Sequence, residues 1–386
     1  MKVSLISSSF YPAIFYGGPI SATWGLSKKL GEKEVEVYVS TTNANGIERL
    51  KNVNTKSYEK VTKNVFVRYY HEQIINMFSL SFIFGIFSDI RRSDVVYIQY
   101  LFHYTVLISL LYSFLLKKKI ILCPRGSFSS FTLSNKRSWL KKIWLNIFIS
   151  PFKNKIIWQA SSYLEKQDIL SRFENARVVI IADGIDFESF QQSDNIHSRD
   201  LVKKYTNMEF QEVSEVVFSM GRLHKIKGFD VLIDAFCIYV KDNPNSKLLI
   251  AGEDDGAKDE LEIQIQKLNL EESVFLIGLV NFNQKKELLT NSSIFILASE
   301  FESFGIVIPE SLACGTPVIV SDKTAWKDIE KNNCGIFVKK QKEHLSNAFQ
   351  QIKINNFTEN NCKKYVEENF DWEVILEKFL QLITKS

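Results

Sequence analysis

The chain has 386 residues, 45% of them hydrophobic and 24% charged, with a net charge of +4. These values describe a globular chain long enough for two ordinary domains and exclude a low-complexity or disulfide-stapled one. The charge is uneven: residues 1–190 hold 25 Lys/Arg against 14 Asp/Glu, the remainder 23 against 30. The basic first half is therefore expected to face an anionic surface or substrate; the alternative is a chance distribution of solvated charge.

Met1 to Ser7 is too short and too quickly polar for a signal peptide and reads as a first strand. Further β-branched runs follow at Val35–Thr41, Val65–Tyr70, Asp94–Gln99, Lys119–Cys123, Lys155–Gln159 and Arg177–Ile181. A second set lies at Glu215–Ser219, Lys247–Ala251, Val274–Ile277, Ile294–Ala298, Pro317–Ser321 and Gly335–Val338. Helical patterns fall between most of them, which predicts parallel, doubly wound sheets and two Rossmann-like domains. The boundary is placed after Ala182-Asp183-Gly184-Ile185-Asp186, followed by a polar stretch from Gln191 to Arg199. The domains are then 1–190 and 200–369, with a last amphipathic helix from about Trp372 to Thr384. Val95–Leu116 is long and apolar enough to span a bilayer. Gln99, His103 and the tyrosines divide it instead into a strand and a helix over about Tyr104–Leu116. Cys123, Cys237, Cys314, Cys334 and Cys362 are scattered, without metal-ligand spacing, and read as reduced thiols in a cytoplasmic protein.

Four loops carry candidate chemistry. Gly17-Gly18-Pro19 follows the first strand and precedes a helix expected near Ser21; two glycines let the backbone approach a phosphate or sugar, unless they form a plain turn. Gly221-Arg222-Leu223-His224-Lys225-Ile226-Lys227-Gly228 follows the strand from Glu215. Arg222 offers a planar fork of donors and Lys227 a point charge, and a diphosphate uses both. His224 and Lys225 read as loop surface. Ala251-Gly252-Glu253-Asp254 ends another strand. Lastly, Glu302-Ser303-Phe304-Gly305-Ile306-Val307-Ile308-Pro309-Glu310 lies between a strand and a helix. Open α/β sheets bind ligands at that end of their strands. The amides of Phe304 and Gly305 suit an anion, and the two glutamates suit sugar hydroxyls. Fixed cations lower the barrier to breaking a sugar–phosphate bond. Arg222 and Lys227 would supply them, no Asp-x-Asp occurs in the chain, and no metal site is expected.

The Glu302–Glu310 nonapeptide, followed by Gly315-Thr316-Pro317-Val318, resembles the donor-binding motif of retaining glycosyltransferases of family 4, which have the GT-B fold. The resemblance is firm over residues 215–325 and loose before 190. It implies two Rossmann-like domains facing each other across a cleft that holds the active site, with the C-terminal helix, about 370–386, packing back on the first. Arg222 and Lys227 would neutralise the nucleotide diphosphate, Glu310 would bind the ribose, and Glu302 the transferred sugar. The amides of Phe304 and Gly305 would lie near sugar and phosphates, with Gly17 and Gly18 facing the phosphates. Gly252 and Gly278 would border the base, although only the first Gly of the family's Gly-x-Gly-Pro loop remains. Ala182-Asp183 replaces a Pro-Asn pair. Where many members have a His, this chain has Pro124-Arg125-Gly126, which resembles a bacterial polysaccharide subgroup. Arg125 stays protonated. It would hold a sugar hydroxyl, carboxylate or phosphate on the acceptor or sugar side, or else merely pair with a neighbouring acid. Tyr97 and Gln99 occupy that subgroup's His-x-His positions.

The implied activity is metal-independent transfer, with retention, of a sugar from a nucleotide-diphosphate donor to a glycan or lipid-linked saccharide. The setting would be bacterial surface polysaccharide assembly: lipopolysaccharide, O-antigen or capsule. No cofactor beyond the donor is implied. Alternatives are a nucleotide-sugar epimerase or hydrolase of the same fold, or a non-catalytic nucleotide-sugar-binding protein. The stretch Lys136–Leu145 mixes basic and aromatic residues at helical spacing. It would lie on the anionic inner membrane from the cytoplasmic side, or pack on the core with its lysines in solvent. No nucleic-acid recognition motif is present.

Overall fold

The computed structural model describes residues 1–46, 48–73, 78–134, 138–191, 194–355 and 357–385. Lys136 and Arg137 of the basic stretch, and Gln192 and Ser193 of the polar one, lie outside them. The chain forms two compact units, Met1–Gly184 with Trp372–Ser386, and Ile185–Asp371.

The first unit runs β1 (Lys2–Ile6), α1 (Gly18–Glu32), β2 (Glu36–Thr42), the two-residue strands β3 (Ala44–Asn45) and β4 (Glu48–Arg49), β5 (Glu59–Thr62), β6 (Val65–Tyr70), α2 (Leu80–Arg91), β7 (Val95–Gln99), α3 (Tyr104–Leu115), β8 (Lys119–Cys123), α4 (Ser130–Ser134), α5 (Ser138–Trp144), β9 (Ile156–Ala160), α6 (Tyr163–Arg172) and β10 (Arg177–Ile180). Its sheet order is β10-β9-β8-β7-β1-β2-β6-β5, parallel except for β5. β7 and β9 are buried at every position, as strands covered on both faces must be. One face is covered by α1 and by the C-terminal helix of the chain, whose Trp372, Ile375 and Phe379 join Leu5, Leu26 and Val37. The other is covered by α2, α3 and the segment from Leu145 to Phe152. α1 starts three residues before the expected Ser21. Pro19 stands in its first turn, where its missing N–H costs nothing. The apolar stretch from Val95 to Leu116 is a strand and a short helix. Among the described residues no helix is long and apolar enough to cross a membrane. Strands β3, β4 and β5 escape sequence reading because they are only two to four residues long, and β4 and β5 are also charged and exposed, as edge strands favour.

The second unit runs α7 (Ser198–Thr206), β11 (Glu215–Met220), α8 (Phe229–Tyr239), β12 (Ser246–Ala251), α9 (Lys258–Lys267), β13 (Val274–Gly278), α10 (Phe282–Asn291), β14 (Ile294–Leu297), α11 (Val307–Ala313), β15 (Val318–Ser321), β16 (Gly335–Val338), α12 (Lys342–Ile354) and α13 (Glu359–Phe370). The closing helix α14 (Trp372–Thr384) returns to the first unit. Six parallel strands lie in the order β13-β12-β11-β14-β15-β16. The fully buried runs of β12 and β14 share a core with α8, α9 and α12.

Candidate active site

In the second unit the strand order reverses between β11 and β14, and the loops leaving these neighbours turn away from each other. A crevice at such a reversal, outside the carboxyl ends of the strands, is where open α/β sheets take ligands. Arg222 and Lys227 leave β11 there; Glu302, Phe304 and Gly305 leave β14; Glu310 lies on the second half-turn of α11. The Glu300 amide donates to the Ile226 carbonyl at 2.7 Å, which fastens the two loops together. His224 Nδ1 accepts the Ile226 amide at 3.1 Å and shapes the turn that presents Lys227. The Lys227 stem lies across Gly221, and its ammonium reaches Glu302 Oε1 at 2.5 Å. The Ser299 hydroxyl donates to the same oxygen at 2.8 Å.

Two further ion pairs involve candidate residues, beside a pair of Lys340 with Glu300 on the Glu302 loop. Arg222 Nη1 meets Asp255 Oδ2 at 2.5 Å, with the arginine side chain 52% exposed and so open to a ligand. Lys285 Nζ meets Glu310 Oε1 at 2.5 Å, and both are largely buried. The Lys285 ammonium also sits 5.5 Å from the Phe282 ring and 5.7 Å from Phe190, a favourable cation–ring geometry. Three cations and three carboxylates are thus matched one to one. Neither Asp255 nor Lys285 carries a sequence signal. Each is an ordinary charged residue until β12 is set beside β11 and α10 beside α11.

Phe304 is buried against Trp326 at 5.2 Å and Phe370 at 5.8 Å, and its carbonyl accepts the Trp326 indole N–H at 2.5 Å. Its side chain therefore anchors the loop, and only its backbone is placed to meet a ligand. Gly305 takes φ +81°. Gly252 has its own structural cause: a Cβ there would stand 1.8 Å from the Gly221 carbonyl oxygen. The loops after β11 and β12 touch at that point, and the glycine needs no ligand to account for it.

In the first unit, Gly17 caps α1 with φ +71°, and a Cβ added to it would meet nothing within 4 Å. Gly18 is the first residue of that 15-residue helix. The end of α1 at which an anion is stabilised thus opens on free space.

Arg125 also lies in the first unit. Its side chain is only 4% exposed. Nη1 donates to both Asp183 oxygens at 2.5 and 2.6 Å, and Nε donates to Gln99 Oε1 at 2.8 Å. Burial is the largest influence and opposes the charge, but Asp183 together with Cys123 and Tyr97 more than offsets it and holds the guanidinium protonated. In this structure the guanidinium is a buried ion paired with Asp183. The neighbouring Gly126 amide donates to Glu165, which also takes the Ser161 amide and hydroxyl. Burial pushes the Glu165 carboxyl up, against those donors. The clue in the sequence was the pairing of two departures, Arg125 for a His and Asp183 for an Asn, which cancel in charge.

Known proteins resemble this chain in fold and, over part of its length, in sequence. The fold is GT-B: the chain aligns over its full length with Anabaena HepE in complex with UDP, at a TM-score of 0.77 and 18% identity, covering 100% of each chain. Residues 206–369, which contain Arg222, Lys227, Glu302 and Glu310, match the family model described as "Glycosyl transferases group 1". An uncharacterized glycosyltransferase of Methanocaldococcus jannaschii is 28% identical over 239 residues, 60% of this chain and 60% of that protein. The N-acetylgalactosamine-N,N'-diacetylbacillosaminyl-diphospho-undecaprenol 4-alpha-N-acetylgalactosaminyltransferase of Campylobacter jejuni is 42% identical over 106 residues, 28% of this chain and 27% of that one. The chain thus spans well under two thirds of the length of these curated relatives.

Proposed function

We propose that this protein is a retaining glycosyltransferase. It would move a sugar, of hexosyl type, from a nucleotide-diphosphate donor to a glycan or lipid-linked saccharide in bacterial surface polysaccharide assembly, at the cytoplasmic face of the inner membrane. The observation that carries this reading is the convergence of Arg222, Lys227, Glu302 and Glu310 on the reversal point of one sheet. The group 1 match over the same residues supports it. The UDP complex of HepE supports a nucleotide donor, and the C. jejuni relative, whose name specifies a diphospho-undecaprenol substrate, supports a lipid-linked acceptor.

On this reading Glu310 accepts the ribose hydroxyls and Glu302 those of the transferred sugar. Arg222 and Lys227 take up the charge that develops on the departing diphosphate, which needs no divalent metal. An ammonium has three N–H groups, so Lys227 can keep Glu302 while meeting a phosphate. The acceptor attacks from the side the phosphate leaves, and the phosphate takes its proton, which preserves the anomeric configuration.

A thermal-shift screen against UDP, GDP, dTDP, CMP and ADP sugars tests the donor site. One nucleotide class should raise the melting temperature, by mass action, equally with and without EDTA. Glu310→Ala and Arg222→Ala should abolish the shift. Absence of any shift with the wild type would sink the donor-site assignment.

Lys285 extends this test. It holds one oxygen of Glu310 and leaves the other for ribose. Lys285→Met should weaken the ribonucleotide about tenfold, the cost of freeing a charge-assisted contact, yet barely affect its 2′,3′-dideoxy analogue, which lacks the hydroxyls. Equal losses for the two ligands in calorimetry would show that Lys285 does not act through the ribose.

A further inference from the structure

We infer that the outward face of helices α2, α3 and α5 is a docking surface for an anionic lipid bilayer. The first support is in the charge pattern. From Asp94 to Glu165 the chain contains no Asp or Glu between those two residues, yet it holds ten Lys/Arg.

The second support is in the packing. All three of these elements, with the turn that follows α5, lie on one side of the first unit's sheet. Phe82 and Ile86 of α2, Val106 and Leu110 of α3, and Leu145 after α5 fill a single core beneath them. Their outer sides should then be polar. Instead α2 exposes Phe84 and Phe87, α3 exposes Phe114 and Leu115, and α5 exposes Trp139 and Ile143. Phe84 is 78% exposed, Leu115 67% and Trp139 62%. Residues three or four apart share one side of a helix, so the pair on α2 and the pair on α5 each form a stripe. Ring contacts link α2 to α3, where Phe87 meets Tyr112 at 5.3 Å, and seat Phe114 on the buried Phe152 at 5.6 Å.

Cations border this apolar layer. Arg91 and Arg92 end α2, Lys117 follows α3, Lys142 is on α5 and Lys155 precedes β9, and all are exposed. Lys118 Nζ donates to the Arg91 carbonyl at 3.0 Å, which draws the basic ends of α2 and α3 together. The one acid of α2, Asp89, is fully buried, accepts from Tyr70 at 2.5 Å and Ser40 at 3.0 Å, and pairs with Arg68 at 3.7 Å and Arg92 at 4.0 Å, so the rim rests on Arg91, Lys117, Lys142 and Lys155.

An apolar layer rimmed by cations matches the boundary between acyl chains and anionic headgroups. A second copy of the same face would bring like charges together. Spanning is excluded for these helices by length, since the 12 residues of α3 reach about 18 Å against a hydrocarbon core of about 30 Å. The surface would bring the first unit to a lipid-linked acceptor and so deepens the proposed function, but its test does not depend on transfer.

The full chain is mixed with phosphatidylcholine vesicles, with or without about 30% phosphatidylglycerol, and the sedimented fraction is measured. The wild type should bind the anionic vesicles at least about tenfold more tightly than the neutral ones, and less tightly in high salt. The triple variant Phe84→Ser, Phe114→Ser, Leu115→Ser should lose about tenfold or more in binding. So should the charge variant Lys117→Glu, Lys142→Glu, Lys155→Glu. Melting temperature and nucleotide shift should stay at wild-type values in both. Three results overturn the inference: wild type that stays in the supernatant, serine variants that bind as well as the wild type, or light scattering that shows a dimer dissolved by those serines. A missing nucleotide shift with normal vesicle binding would fail the donor reading alone.

Discussion

Lys227→Ala should lower the turnover number of the proposed transfer by about 10²–10³, the effect of deleting one preorganised charge at a site of developing negative charge. The donor dissociation constant should move by less than about tenfold, because charge on the leaving diphosphate grows mainly in the transition state. Geometry supports this division. The Lys227 ammonium is pinned at 2.5 Å from Glu302 on a loop bonded to its neighbour, so it is in place before the reaction. Arg222 is half exposed on a more open pair, and its loss should fall more heavily on KM. Single-turnover rates and calorimetric donor binding separate the two effects. A Lys227→Ala enzyme that turns over normally with intact donor binding would remove Lys227 from the chemistry.

Arg125→Met should cost about 3–5 kcal/mol of stability, because it leaves Asp183 buried and without its counter-ion. For a unit of this size that is roughly 10 °C in melting temperature. The double variant Arg125→Met, Asp183→Asn should recover most of the loss, since removing both members of a buried pair is often close to neutral. A surface pair would give only about 0–1 kcal/mol in the same cycle. Denaturant titration of the two single variants and the double variant measures the coupling. If Arg125→Met melted like the wild type but lost transfer activity, the residue would be returned to the sugar side of the reaction.

Most of the fold was legible because parallel strands are buried on both faces and leave continuous apolar runs. β14 and β12 are such runs, and their predicted limits differ from the observed ones by about a residue. β5 was not legible, because an edge strand of the sequence Glu-Lys-Val-Thr has no burial to impose a pattern. The start of α1 was misplaced because Gly-Gly-Pro reads as a turn, although Pro is well accommodated in the first turn of a helix.

For the candidate site, the sequence alone placed the candidate residues on loops and a helix start at one end of the sheet. Arg222, Lys227 and Glu302 lie in loops just after recognisable strands and Glu310 in the first turn of the helix that follows, and local spacing suffices to place them at the carboxyl end. Only the tertiary structure decided their partners. Asp255 meets Arg222 because β12 neighbours β11, and Lys285 meets Glu310 because α10 packs against α11. Arg125 meets Asp183, 58 residues away, because β10 lines up beside β9 and β9 beside β8. Local pattern specifies elements because period and burial act over a few residues. Ion pairs form between residues far apart in the chain, and which of them meet depends on strand order and helix packing.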